Sequence, residues 1–252
     1  MIRAKCENIL GYAITTQNRN GCIEQILTWI RSGEKGRYLI CANPHSLEIA
    51  RHDRLFGQAI KGADIVTPDG IGMLLASKIL GGSIRERVTG SDIFLGLSRL
   101  LNSEGRYRYF FLGSTEKNLA LLRKKMKKDF PNIEIGGTYS PPFKNEFTPV
   151  ENNAMIHAVS HVKPDVLWVG MTAPKQEKWV YQNKDRLDVK LVAPVGAVFD
   201  FYIDTIKRSS PWFLDHGLEW LPRLIQEPRR LWNRTLLSAP KFLMRVLIHR
   251  FS

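Results

Sequence analysis

Residues 107–138 read YRYFFLGSTEKNLALLRKKMKKDFPNIEIGGT. Tyr107–Leu112 is an apolar, aromatic run of strand length. Gly113-Ser114-Thr115-Glu116 follows as a turn: Gly113 permits close backbone approach, and Ser114 or Thr115 can cap a helix. Glu116–Phe130 is amphipathic at helical spacing, and Glu134–Thr138 reads as a second strand. A strand, a crossover helix and a strand form the unit from which parallel sheets are built.

The same alternation runs outward in both directions. Further strands are predicted at Ile9–Thr15, Arg37–Cys41, Asp64–Val66, Val166–Val169 and Lys190–Ala193. Further helices are predicted at Gly21–Arg31, Ser46–His52, Ile71–Leu80, Asp92–Asn102, Glu151–His161 and Lys175–Asn183. The pattern predicts an α/β fold with a Rossmann-like, mainly parallel sheet and flanking helices. No internal repeat or low-complexity tract interrupts it.

The chain changes character near Lys207. From Lys207 to Ser252 nine Lys or Arg stand against three Asp or Glu, together with Trp212, Trp220 and Trp232. Pro211, Pro222, Pro228 and Pro240 cut this region into short helices. The expected organisation is a core over residues 1–206 and a basic, helical, membrane-associating appendage over 207–252.

Composition narrows the function classes. Hydrophobic residues make up 44% of the 252, enough for a sizeable core, which excludes a disordered chain. The formal net charge of +13 implies an anionic partner: nucleic acid, anionic lipid or a phosphorylated substrate. Cys6, Cys22 and Cys41 form no CxxC, which suits a reducing compartment better than a disulfide framework. No secretory signal follows Met1, and no apolar run approaches the roughly 20 residues that cross a bilayer, so membrane contact is expected to be peripheral.

In open parallel sheets ligands bind at the carboxyl ends of the strands. Four strand exits have suitable chemistry: Thr67-Pro68-Asp69-Gly70-Ile71-Gly72, Leu112–Glu116, Gly170–Glu177 and Pro194-Val195-Gly196-Ala197 with Asp200 beyond. Pro174 suits a first helical position, which would set Lys175 and Gln176 in the first turn, ready for a phosphate. Glycines after strands are common, so Gly113 and Gly196 also fit a plain turn role. Neither GxGxxG nor GxxxxGK[ST] occurs.

Asp69 can face a cleft and take a proton from an attacking hydroxyl, and it equally suits a turn or cap. Arg87, Lys175 and helix N-termini could hold a departing diphosphate. Asn43, before Pro44, fits a sugar contact or an Asx-turn. No Asp-x-Asp occurs, and His157 and His161 lack an HExxH context, so no metal site is expected.

Taken in order, Thr67–Gly72, Arg87-Val-Thr-Gly-Ser-Asp92, Phe111–Ser114, Gly170–Glu177, Val195–Asp200 and Gly217–Arg223 resemble the WecG/TagA/CpsF glycosyltransferases, glycosyltransferase family 26. The resemblance implies an inverting transferase that needs neither metal nor cofactor. It would move an N-acetylmannosamine-type or related hexose from a UDP-sugar to a polyprenyl-diphosphate-linked acceptor. The work belongs to cell-surface polysaccharide synthesis, at the cytoplasmic face of a bacterial membrane. It implies that Asp69 is the catalytic base, that Asn43, Arg87 and Gln176 lie in the active site, and that Asp200 contacts the nucleotide. Gly113, Ser114, Gly170, Lys175 and Gly196 then complete the UDP-sugar site, and Arg223 and Arg230 serve the diphosphate. The chain departs from the family at Cys41, where a small hydroxyl residue is usual, and at Asn233, where a third basic residue is expected beside Arg234.

Two other readings compete. An NAD-dependent UDP-sugar epimerase would want a glycine fingerprint and a Tyr-x-x-x-Lys pair, and neither is present. A nucleic-acid-binding protein would interleave basic and aromatic residues along a groove. Here that mixture is concentrated in the tail, which suits an anionic membrane better. A homo-oligomer remains compatible with all three.

Overall fold

The computed structural model describes residues 5–206 and 237–251. Its centre is a six-stranded, wholly parallel sheet of order β4-β3-β8-β7-β5-β6. The strands are β3 (Arg37–Ala42), β4 (Ile65–Pro68), β5 (Tyr107–Gly113), β6 (Ile133–Tyr139), β7 (Val166–Gly170) and β8 (Leu191–Pro194). A separate antiparallel hairpin, β1 (Cys6–Ile9) and β2 (Tyr12–Thr15), precedes them. Helices cover both faces: α1 (Arg19–Ser32), α2 (Pro44–His52), α3 (Arg54–Lys61), α4 (Ile71–Leu80), α5 (Gly90–Glu104), α6 (Glu116–Asp129), α7 (Pro149–Val162), α8 (Lys175–Asn183), α9 (Val198–Tyr202) and α10 (Ala239–Phe251).

Strand side chains alternate between two cores, as period-two geometry requires. Tyr38, Ile40, Val66, Phe110, Leu112, Leu167, Val169 and Val192 enter one cluster. Leu39, Ile65, Tyr109, Phe111, Val166, Trp168, Leu191 and Ala193 enter the other. The expected α/β class and parallel sheet are therefore present.

Three local expectations change. Ile9–Thr15, read as one strand, is a hairpin: Leu10 and Gly11 take φ of 51° and 88°, and Gly11 N–H donates to Asn8 Oδ1 at 2.7 Å. The strand expected at Asp64 starts one residue later, because the Asp64 carboxylate accepts from Tyr38 N–H at 2.9 Å and Arg37 Nη1 at 2.5 Å. Helix α3 was not expected; Asp53 starts it by accepting from Phe56 N–H at 3.0 Å.

The chain leaves the β3–β4 pair, restarts across the sheet at β5, and later fills the gap with β7 and β8. Every strand exit of the main sheet lies on one edge, with the crevice in the middle. Helix α10 packs on α4 and α2 beside that edge. Phe242 and Val246 are fully buried in the core, and Arg245 Nη1 donates to Glu48 Oε1 at 2.6 Å. Of the tail residues named above, Trp212, Trp220, Trp232, Arg223, Arg230, Asn233 and Arg234 lie outside the described residues. Phe242→Ala is expected to cost about 3–5 kcal/mol of stability, the range for emptying a buried aromatic site. Urea denaturation of the two proteins checks this, and a loss below about 0.5 kcal/mol would mean that α10 is not packed into the core.

Candidate active site

A cleft of about 1040 Å³ opens along the carboxyl edge of the sheet. That lies at the upper end for small-molecule sites and leaves room for two substrates. One wall comes from the exits of β3 and β4, and the other, starting at β8 beside β3, from the exits of β8, β7 and β5.

On the first wall, Asn43 caps α2: its Oδ1 accepts from Ser46 N–H at 3.0 Å, and Ser46 Oγ accepts from Asn43 N–H at 2.8 Å. The turn reading of Asn43 is thus present, and the residue also lines the cleft. Asp69 is half-buried, and its backbone N–H donates to Ala42 O at 2.8 Å. Gly70, with φ of 94°, turns the chain at once into α4, which starts without a side-chain cap. Val88 N–H donates to Pro68 O at 2.8 Å, so the loop carrying Arg87 is tied to the end of β4 beside Asp69. Asn43, Asp69 and Arg87 therefore share one wall, although 44 residues of sequence separate the first from the last.

On the other wall, Gln176 is 4% exposed and fastens two loops together. Its Oε1 accepts from Met171 N–H at 3.2 Å and from Gly196 N–H at 3.1 Å, and its Nε2 donates to Glu177 Oε1 at 2.7 Å. Ser114, at φ of 58°, donates its N–H to Gly170 O at 2.9 Å. Asp200 Oδ1 accepts from Asn118 Nδ2 at 3.0 Å. Ser114, Gly170, Gln176, Gly196 and Asp200 all line the cleft.

Two expected ligand contacts are placed differently. Gly113 does not line the cleft; a Cβ there would stand 2.4 Å from Gly170 O, so glycine is needed to bring the β5 and β7 exits together. Lys175 lines it, but its ammonium donates to Lys144 O at 2.6 Å and lies 5.7 and 5.0 Å from the Phe143 and Phe147 ring centroids. Burial lowers its pKa. Pro174 occupies the cap position of α8 rather than its first turn, and the Lys175 N–H turns back onto Thr172 O at 3.0 Å.

The structure adds residues to the site. Ser140, after β6, donates its Oγ to Ser114 O at 2.7 Å and anchors the segment that carries Phe143 to the rim. Ala239, Pro240 and Leu243 of α10 join Ile71 and Leu75 of α4 in an apolar flank of the mouth. Glu177 is 5% exposed, lines the cleft, and has its carboxyl pushed up to about 7 by burial. Cys41 also lines it, its thiol raised by burial and then by the Asp69 carboxylate. Glu177 had a signal in the sequence in the Pro-Lys-Gln-Glu block, Cys41 in its place two before Asn43, and Ile71 in the Thr67–Gly72 exit; a first-turn Glu ordinarily serves the helix dipole. Among the described residues no cluster of three His, Cys, Asp or Glu side chains could hold a metal ion.

The chain is 30% identical over 215 residues to an N-acetylglucosaminyldiphosphoundecaprenol N-acetyl-beta-D-mannosaminyltransferase of Bacillus spizizenii, covering 85% of this chain and 80% of that one. A protein of the same description from Bacillus subtilis is 28% identical over 84% of this chain and 79% of its own. Another from Staphylococcus aureus (strain MW2) is 22% identical over 95% and 91%. The glycosyl transferase WecG/TagA/CpsF family matches residues 7–252. With a match of that length on a parallel sheet whose loops converge on one cleft, the chain belongs to the WecG/TagA/CpsF family and is a glycosyltransferase.

Proposed function

We propose that this transferase moves an N-acetylmannosamine-type hexose from a UDP-sugar to N-acetylglucosamine on a polyprenyl diphosphate, with inversion and without a metal. The acceptor and the sugar follow the activity printed for the Bacillus and Staphylococcus relatives. The observation that carries the reading is the division of the cleft. One carboxylate and one guanidinium stand on the β3–β4 wall, the loops assigned to the nucleotide follow β8, β7 and β5, and an apolar flank lies at the mouth.

The chemistry follows from that division. Asp69 takes the proton from the acceptor hydroxyl as its oxygen attacks C1 of the donor sugar. The bond from C1 to the diphosphate oxygen breaks, and UDP leaves with the electron pair. Arg87 balances the negative charge that develops on the diphosphate. Asn43 orients sugar, and Ser114, Gly170, Gly196 and Asp200 form the nucleotide side, with Gln176 holding their loops together. Lys175 takes part through the Phe143 segment that it fastens. Arg223 and Arg230, outside the described residues, are proposed to close over the diphosphate, and no cofactor is required.

A polyprenyl chain stays in its bilayer, so the cleft must reach a membrane surface. Among the described residues no helix is long and apolar enough to cross a membrane. Helix α10 instead exposes Met244, Ile248 and Phe251 at 62%, 59% and 84%, next to exposed Lys241 and Arg250. Residues 207–252 are proposed as a peripheral anchor at the cytoplasmic face, each basic residue near anionic headgroups contributing on the order of 1 kcal/mol.

A panel of UDP-sugars offered with lipid-diphosphate N-acetylglucosamine, with and without EDTA, tests the reading. Transfer from UDP-N-acetylmannosamine at an EDTA-insensitive rate is expected. Strict dependence on added Mg²⁺ or Mn²⁺ would contradict the metal-free reading, and activity only with a different class of acceptor would contradict the rest.

A further inference from the structure

A seam between two helices leads away from the cleft mouth. Helices α4 and α10 pack side by side and run the same way. Their first turns meet at the mouth, where Ile71, Leu75, Pro240 and Leu243 line the cleft. Their last turns meet at the far end, where Arg250 Nη1 donates to Leu80 O at 3.4 Å. Helix α4 has ten residues, so the seam is about 15 Å long.

The seam has an apolar edge that the core does not use. Ile71 and Leu75 stand one turn apart on α4 and are 41% and 43% exposed. On α10, Leu243, Leu247 and Arg250 follow at i, i+4 and i+7, so they share one edge of the helix. Leu243 lines the cleft and Arg250 reaches α4, which sets Leu247, 45% exposed, between them on the α4 side. Met244, Ile248 and Phe251 have the same spacing and form a second, separate edge. Contiguous exposed apolar surface running out of a binding cleft marks a place where a partner sits.

We propose that this seam is the subsite for the first isoprenyl units of the acceptor, so that the lipid chain leaves the cleft between α4 and α10. The inference rests on the polyprenyl-diphosphate reading above. The occupant follows from where the seam begins. Ile71 stands two residues after Asp69, the proposed base, and both line the cleft. An acceptor whose hydroxyl lies at Asp69 still has its prenyl chain to place, and Ile71 and Leu75 open the apolar way out on that side. The loops proposed for the nucleotide present Ser114 and Asp200 to the cleft instead. A hydrocarbon chain has no hydrogen bonds to satisfy and gains by leaving water, which suits an edge of isoleucine and leucine. The seam then fixes the direction of one lipid chain relative to Asp69, a task separate from holding the protein at a membrane.

Transfer from UDP-N-acetylmannosamine by the full chain tests this. The acceptors are N-acetylglucosamine diphosphates carrying a one-unit or a three-unit prenyl chain, used without detergent. The wild-type KM is expected to fall at least about tenfold from the short chain to the long one, the scale for burying one leucine-sized apolar group. Replacing both exposed leucines, as Leu75→Asn with Leu247→Asn, should abolish most of that fall while kcat changes far less than KM. Leu75→Met with Leu247→Met keeps the apolar surface and should retain it. A wild-type KM that does not depend on chain length would overturn the proposal, because the seam would then belong to a second copy or to bilayer lipid at large. A steep dependence that survives in the asparagine variant would overturn it too. A wild-type chain that transfers to neither acceptor would overturn the polyprenyl-diphosphate reading itself, and this inference with it.

Discussion

Asp69→Asn is expected to lower kcat by about 10²–10⁴, the usual cost of losing a general base. The substitution keeps the size of the side chain and its position after Pro68, where the backbone bond to Ala42 O is unaffected. The amide cannot accept the acceptor's proton, so the chemical step slows while donor binding persists. UDP-sugar affinity should stay within threefold of wild type, because the loops proposed for the nucleotide follow β5, β7 and β8 rather than β4. Steady-state turnover on a lipid-diphosphate acceptor, with UDP binding measured in parallel, separates the two effects. Turnover within threefold of wild type would remove Asp69 from the role of base.

Arg87→Ala is expected to reduce kcat by about 10²–10³, the range for deleting one donor that stabilises developing charge. Val88 fastens the loop to β4 through its backbone, so the wall should survive the loss of the neighbouring side chain. Arg87→Lys keeps the charge but not the planar fork, and an intermediate loss is expected. The contrast between UDP and uridine is informative: the variants should weaken UDP and leave uridine unchanged. A uniform loss on both ligands would mean that Arg87 supports the wall rather than the diphosphate.

Helices Ile71–Leu80 and Lys175–Asn183 were legible to the residue, because Gly70 and Gly81 bracket the first and Pro174 precedes the second. The Ile9–Thr15 hairpin was not. Its apolar alternation continues through Leu10-Gly11, and only the Asn8 side chain and two positive φ values reveal the turn. Helix α3 was hidden because His52-Asp53 separates it from α2 without a glycine or proline.

The site divides in the same way. Strand exits could be read from sequence, because a parallel sheet puts them on one edge whatever the strand order. What each side chain does there depends on contacts distant in sequence. Lys175 is engaged by Lys144 and by the rings of Phe143 and Phe147, and Gly113 is pressed against Gly170. The flank contributed by α10 depends on Phe242 and Val246 reaching the core, which no local pattern in the tail announces.

The proposed catalysis is a single displacement in which one carboxylate on the β4 wall deprotonates the acceptor while UDP leaves from the opposite face of the anomeric carbon. Such a reaction must invert the anomeric carbon. The most direct measurement is the anomeric configuration of the product made from α-linked UDP-N-acetylmannosamine and lipid-diphosphate N-acetylglucosamine, read by proton–carbon coupling in NMR. A β-linked disaccharide is expected. An α-linked product would require a second displacement and a nucleophile that the proposed mechanism does not contain, and would contradict it.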